Sequence, residues 1–233
     1  QKFSKPFEIK YLGTDEKEHY AWTTSWGISW RLIGAMVLTH GDDRGLIIPP
    51  RIAPIQVVLV PILYKEADSE NILRETRGLA SSLESAGIRT YVDDRAQYTP
   101  GWKYNEWEMK GVPLRVEIGP RDIKNKQITI VRRDTGEKSI EPTSSAVSKL
   151  TQLLEEIQQN LFDRARKAAQ VLTSKARDMK SLGRILQEKG GFVQAYLCDD
   201  VTCEDKIKEE TGATVRLVPF ETIEKGNCVY CGD

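Results

Sequence analysis

The chain has 233 residues, 39% of them hydrophobic, with 34 basic against 34 acidic side chains, which is enough for two compact domains and a fragment. Balanced charge excludes a whole-chain field that would draw in polyanions, but a local basic face can still bind phosphates. No apolar run approaches the roughly 18 residues of a membrane span and the first residues lack a secretion signal's apolar stretch, so no membrane partner and a cytoplasmic setting are expected.

The chain opens on Gln1, Lys2 and Phe3 without an initiator and reads as the middle of a domain. Alternating residues at 7–12 and 20–24, with a charged turn at 14–18, predict an antiparallel hairpin. Ser29 then reads as the N-cap of a helix over 30–38, with Ile33, Met36 and Val37 on one face and Gly41 as its stop. The order is strand, tight glycine turn, helix. A short strand is expected at 45–50. The nearly unbroken apolar run at 55–63 has the pattern of a central parallel strand covered on both faces.

A helix opened by Asp68 or Ser69 comes next, with Ile72, Thr76, Leu79, Ala80 and Leu83 along one face and Gly87 at its end. Strands are predicted at 88–92, 114–118 and 127–131, with a short helix at 103–109 after the turn at 98–101. Strand–helix–strand–helix–strand with short links predicts an open α/β sheet, mostly parallel, with right-handed crossovers. Residues 142–145 cap a long helix on which Val147, Leu150, Leu154, Ile157, Leu161, Ala165 and Ala168 recur at helical spacing. A second helix covers 178–189. Strands at 192–197 and 214–219, with a charged helix after Cys203, complete the tail.

Three groups of residues carry chemistry. At 24–34 the chain reads TSWGISWRLIG. Arg31 at a helix start offers a permanent charge and a planar fork for phosphate or adenine. Gly27 lets backbone come close to a ligand, and Ser29 can cap the helix and meet a nucleotide. The plainer reading is that Trp26, Trp30 and the glycines pack a helix on a sheet.

The second group is Arg95, Lys103, Glu106, Glu108, Lys110, Arg115 and Arg121, interleaved with Trp102, Tyr104 and Trp107. Splayed RNA bases are read by stacking and by edge hydrogen bonds. Guanine offers acceptors to Arg or Lys and donors to a carboxylate. The alternative is a solvated helix face with pairs such as Glu106 and Lys110. The third group is Cys198-x4-Cys203 with Cys228-x2-Cys231. Four thiolates form a closed tetrahedral shell suited to structural zinc, with no position open for a reacting water. Disulfides or unlinked thiols are the alternative.

The first motif, together with HGDDRGLIIPPR at 40–51, YTPGWK at 98–103 and GVPLRVEIGPR at 111–121, resembles the class II aminoacyl-tRNA synthetases in their proline-specific, archaeal/eukaryotic form. The likeness covers nearly the whole chain. Trp30 departs from it, standing where the family often has a threonine. The resemblance implies an α/β chain in three parts: the end of an antiparallel-sheet catalytic domain with motif 3 (1–53), an anticodon-binding domain (54–141), and an α+β zinc-bearing C-terminal domain (142–233).

It further implies ATP and proline contacts at Ser25, Trp26, Gly27, Ser29 and Arg31, with Arg31 catalytic. Contacts to the tRNA(Pro) anticodon would come from Arg95, Lys103, Glu106, Lys110, Arg115 and Arg121. Zinc would sit on Cys198, Cys203, Cys228 and Cys231, magnesium would accompany ATP, and the intact enzyme would be a homodimer. The family's motifs 1 and 2 would precede Gln1, so this stretch is expected to bind tRNA without catalysing. A non-catalytic RNA-binding accessory protein is the alternative from another class.

Overall fold

A computed structural model describes residues 3–63, 66–220 and 226–233. Gln1, Lys2 and the side chain of Asp68, expected to open a helix, lie outside the described residues. The chain divides into two compact units, one ending at Thr39 and the other His40–Asp233.

In the first unit β1 (Lys10–Leu12) and β2 (Glu18–Tyr20) pair antiparallel, Lys10 opposite Tyr20 and Leu12 opposite Glu18. The hairpin is shorter than its alternation predicts, and its second strand begins inside the expected turn. An ion pair from Lys10 to Glu18 at 3.1 Å and a bond between His19 and Asp15 at 2.9 Å tie this tight form together. Residues 21–29 have no regular structure, so the strand expected over 20–24 is absent beyond its first residue. Helix α1 (Arg31–His40) follows and stops before Gly41, but none of its residues is buried. Its apolar stripe at Ile33, Met36 and Val37 therefore packs no core among the described residues.

The second unit is built on a five-stranded sheet in the order β4-β3-β5-β6-β7. Strands β3 (Val57–Pro61), β4 (Thr90–Val92) and β5 (Leu114–Ile118) run parallel to one another. Strand β6 (Gln127–Arg132) pairs antiparallel with β5, and β7 (Lys138–Pro142) antiparallel with β6. The sheet is thus mixed rather than mostly parallel. The link from Ile118 to Gln127 is too short for a parallel crossover, which takes about a dozen residues or more. Strand β7 alternates exposed and half-buried residues and carries too little apolar signal to be read from sequence. Strand β3 is buried at every position, as its unbroken apolar run requires.

The strand expected at 45–50 is not formed. Leu46 and Ile48 instead donate backbone bonds to the carbonyls of Met109 and Gly111. Gly111 has φ +74°, and a Cβ there would lie 2.6 Å from the Leu46 backbone, so only glycine allows this approach.

Helices cover both faces. Helix α2 (Glu66–Ser85) starts earlier than expected and buries Ile72, Thr76, Leu79, Ala80 and Leu83, the face its spacing predicts. Helix α5 (Ala146–Val171) follows a short 3-10 turn and buries Leu150, Leu153, Leu154, Ile157 and Leu161. Both pack against Val57, Leu59, Leu114, Val116, Ile118, Ile128 and Ile130 of the sheet. Each fully buried aliphatic side chain of this kind stabilises the fold by about 1.5–3 kcal/mol. Ala165 and Ala168, expected to continue the α5 stripe, are half-buried and exposed respectively, because the helix runs on past the sheet core. On the opposite face Val58 and Val60 meet Trp107 and Val112, which brings in α3 (Pro100–Met109). Helix α4 (Pro120–Asn125) is too short to show a helical period in the sequence.

Beyond α5, β8 (Thr173–Lys175) pairs parallel with β9 (Phe192–Gln194), which is shorter than the strand expected over 192–197. Helix α6 (Met179–Glu188) is capped by Asp178, whose carboxylate accepts from the Ser181 amide at 2.8 Å. Helix α7 (Val201–Thr211) begins before Cys203 rather than after it, because Asp200 provides the cap. The strand expected at 214–219 is not formed. No helix among the described residues is long and apolar enough to cross a membrane.

Candidate functional site

The residues expected to meet ATP and proline lie together along one short stretch. Ser25, Trp26, Gly27 and Ser29 occupy the irregular segment before α1, Arg31 is the first residue of that helix, and all five are exposed. A side chain at Gly27 would meet nothing within 4 Å. Packing inside this stretch therefore does not demand a glycine, and the expected tight turn is not what places it there.

The basic and aromatic group gathers more closely, around a residue that sequence reasoning misses. Thr99 caps α3, and Pro100 occupies its first turn, which fixes Trp102 and Lys103 at the start of the helix. Asp93, just beyond β4, is completely buried. Its carboxylate accepts from Trp107 Nε1 at 2.7 Å and from Arg95 Nε and Nη2, each at 2.8 Å. The Lys103 ammonium lies 3.8 Å from the same carboxylate and bonds the Asp93 carbonyl at 2.9 Å. Burial by itself would raise the Asp93 pKa. The bonds from Arg95 and Trp107 and the charge of Lys103 outweigh it and hold the group at about 2. Burial lowers Lys103.

Arg95 also bonds Glu106, which in turn accepts from Lys110 at 2.6 Å. Hydrogen bonds from Arg95 and Lys110 pull the Glu106 carboxyl down. The Arg95 guanidinium lies 4.9 Å from the ring centre of Tyr98 and 5.5 Å from that of Trp102. Those two rings stack at 3.9 Å and 10°. Four of the predicted residues, Arg95, Lys103, Glu106 and Lys110, thus form one cluster, with Lys103 buried inside it rather than displayed. The signal that could find Asp93 is its place after a parallel strand, since open α/β sheets put functional groups at the carboxyl ends of strands.

Arg115 stands apart, on the sheet face that α3 leaves partly open. It bonds Glu117 at 3.0 Å and lies 4.3 Å from the Tyr104 ring centre. Lys138 reaches Glu117 at 2.8 Å. Beside them a cavity of about 250 Å³ is lined by Trp107, Glu108, Arg115, Arg133 and Lys138 among others. Glu108 pairs with Arg44 at 2.8 Å, and Arg133 pairs with Asp42 at 2.6 Å. The bonds from Arg133 hold the Asp42 carboxyl well below the usual range. Arg121 is exposed on α4.

The four cysteines converge from separate segments. Cys203 sits on α7, Cys198 precedes that helix, and Cys228 and Cys231 follow in the last turn. Their sulfur atoms all lie within 4.8 Å of one another, and Cys198 and Cys231 are 3.8 Å apart. A tetrahedron with metal–sulfur bonds of about 2.3 Å has edges of about 3.8 Å, so the four thiols fit a tetrahedral metal ion. None of them is in a disulfide. Burial pushes the Cys203 thiol up. Cys228 is also buried, yet the backbone groups of Cys198, Cys231 and Tyr230 pull it down to about 6.

An α/β sheet with a charged, aromatic α3 face is followed by a tail whose four thiols could hold a metal ion, and these are an anticodon-binding domain and its C-terminal appendage. The profile of the anticodon-binding domain matches residues 56–160, and that of the prolyl-tRNA synthetase C-terminal domain matches 179–233. Over 232 residues, 100% of this chain and 48% of the relative, the sequence is 46% identical to a proline–tRNA ligase of Natranaerobius thermophilus. It is 45% identical to that of Cenarchaeum symbiosum over 100% of this chain and 48% of the relative. For Flavobacterium psychrophilum the figures are 40%, 100% and 47%. The chain belongs to the prolyl-tRNA synthetase family and corresponds to its C-terminal portion. It spans about half the length of the curated relatives it matches.

Proposed function

We propose that this chain is the part of a proline–tRNA ligase that carries motif 3, reads the anticodon and holds a structural zinc ion. In the intact enzyme the proline carboxylate attacks the α-phosphorus of ATP, accompanied by magnesium, and expels pyrophosphate. The prolyl group then passes to the 3′-terminal adenosine of tRNA(Pro), with AMP leaving. Such a reaction rests on neutralising charge and positioning groups. Arg31 supplies the fixed charge and fork for the nucleotide, Ser29 and Gly27 adjoin it, and Ser25 and Trp26 border the amino acid.

Arg95, Glu106, Lys110, Arg115 and Arg121 meet the anticodon loop, with Lys103 supporting them from beneath. The family's three parts fall at 1–53, 54–141 and 142–233, and the same reading gives a cytoplasmic homodimer. Zinc on Cys198, Cys203, Cys228 and Cys231 would cross-link the tail and take no part in the reaction.

The observation that carries this reading is the likeness to proline–tRNA ligases along the whole of this chain. It does not favour an RNA-binding accessory protein. The test is the affinity of the chain for proline tRNA at fixed salt, beside the same tRNA with both shared anticodon guanines replaced. A loss of about 1–3 kcal/mol per guanine is expected for base readout. Equal binding would leave only a phosphate-binding surface and overturn the reading.

A further inference from the structure

The Arg95 side chain is already engaged where a base-reading fork would be needed. Arginine has five N–H donors. Nε and Nη2 of Arg95 bond Asp93, and Nη2 also bonds Glu106. Only Nη1 is left without a hydrogen-bond partner among the described residues, so the two-pronged edge that would grip a guanine is used inside the protein. What this arrangement does provide is a rigid surface. Asp93 is fully buried and held from behind by Trp107 at 2.7 Å and by Lys103 through its backbone carbonyl at 2.9 Å. It fixes the guanidinium against Tyr98 and Trp102, which stack on each other yet remain 36% and 45% exposed. Exposed aromatic rings locked in place lose little conformational freedom when a base stacks on them.

We propose that Asp93 is a positioning residue that sets Arg95, Tyr98 and Trp102 as a preformed platform on which one base of a single-stranded RNA loop stacks, with Arg95 adding charge and its Nη1 donor rather than a bidentate grip. The inference rests on the anticodon reading above. It differs from a purely electrostatic role in sign. Neutralising a carboxylate near a polyanion should strengthen binding, whereas loss of the platform weakens it.

The test measures binding of the whole chain, at fixed salt, to a hairpin RNA carrying a proline anticodon loop. A second hairpin has both shared guanines replaced. Asp93→Asn, Arg95→Ala, Trp102→Ala and the Asp93→Asn/Arg95→Ala pair are compared, with thermal unfolding to confirm that each folds. Trp102→Ala and Asp93→Asn are each expected to weaken binding about tenfold, the order for one stacked base. In the Arg95→Ala background Asp93→Asn should cost nothing more, because it acts through Arg95. An equal further loss in that background would make Asp93 a general fold support and overturn the proposal. Unchanged binding by Trp102→Ala, which alters only a half-exposed side chain, would overturn it even if Asp93→Asn failed to fold. If the unaltered chain bound both hairpins equally, the anticodon reading itself would fall, and this inference with it.

Discussion

The sheet domain and the cysteine-bearing tail solve the same problem by different means. Around the five-stranded sheet 19 buried hydrophobic residues form one cluster among the described residues, with α2 and α5 closing it. Among the described residues the tail's cluster has four, Ala176, Leu182, Ile207 and Val229, in the region that also gathers the four thiols. Small units bury too little of their surface to be stable by apolar contact alone, and cross-links or metals make up the difference. On the proposed zinc site, the first region is vulnerable to lost packing and the second to lost ligands.

The largest effect should come from taking away the zinc proposed for the four thiols. Structural zinc in small sites contributes an apparent ~10–16 kcal/mol, well above the contribution of any one buried side chain. A chelator, or Cys203→Ser, should release amide protection across α6 and α7 while β3, β5 and α2 keep theirs, as read by hydrogen exchange. Simultaneous loss in both regions would mean that they do not stand on separate supports. Next in size, Leu114→Ala removes a fully buried side chain from the sheet core and should cost ~2–5 kcal/mol in urea unfolding. The tail should keep its amide protection in that variant.

A smaller effect is expected at Asp93, where a polar network lies within the sheet domain. Asp93→Asn should cost ~1–3 kcal/mol, because buried donors lose a charged acceptor. The pH dependence has a definite sign. The folded carboxyl titrates at about 2, below its unfolded value of ~3.9. Its stabilisation is therefore full above pH ~4 and is lost as pH falls toward 2. Urea midpoints through that range should fall more steeply for the unaltered chain than for Asp93→Asn. Parallel curves would exclude the network as the source. The smallest change is expected for Arg51→Ala, whose ion pair with Glu155 spans 2.6 Å but has both side chains well exposed. A stability change below ~1 kcal/mol is expected in the same urea assay.

Much of the sheet domain is legible because its strongest signals are local. The run that forms β3 is apolar at every position, and the 3.6-residue spacing of Ile72, Thr76, Leu79, Ala80 and Leu83 selects the buried face of α2. Strand β7 escapes such a reading because an edge strand with one solvated face carries little hydrophobic pattern. The segment at 45–50 looks like a strand for the opposite reason. Its apolar residues do find backbone partners, but these are the carbonyls of Met109 and Gly111 at the end of α3.

The candidate site divides in the same way. Residue types and spacing are enough to single out Arg95, Lys103, Glu106 and Lys110, and the four cysteines as possible metal ligands, since those choices depend on side-chain chemistry. Burial and partnership are not written there. Folding puts Lys103 inside, turns the Arg95 fork toward Asp93 and stacks Tyr98 on Trp102. It also brings Cys198 and Cys203 together with Cys228 and Cys231. Which groups can act, and which local elements carry them, follows from the order of residues, because propensity and periodicity operate over a few positions. Which groups face each other is set by the packing of distant segments, and no local pattern records that.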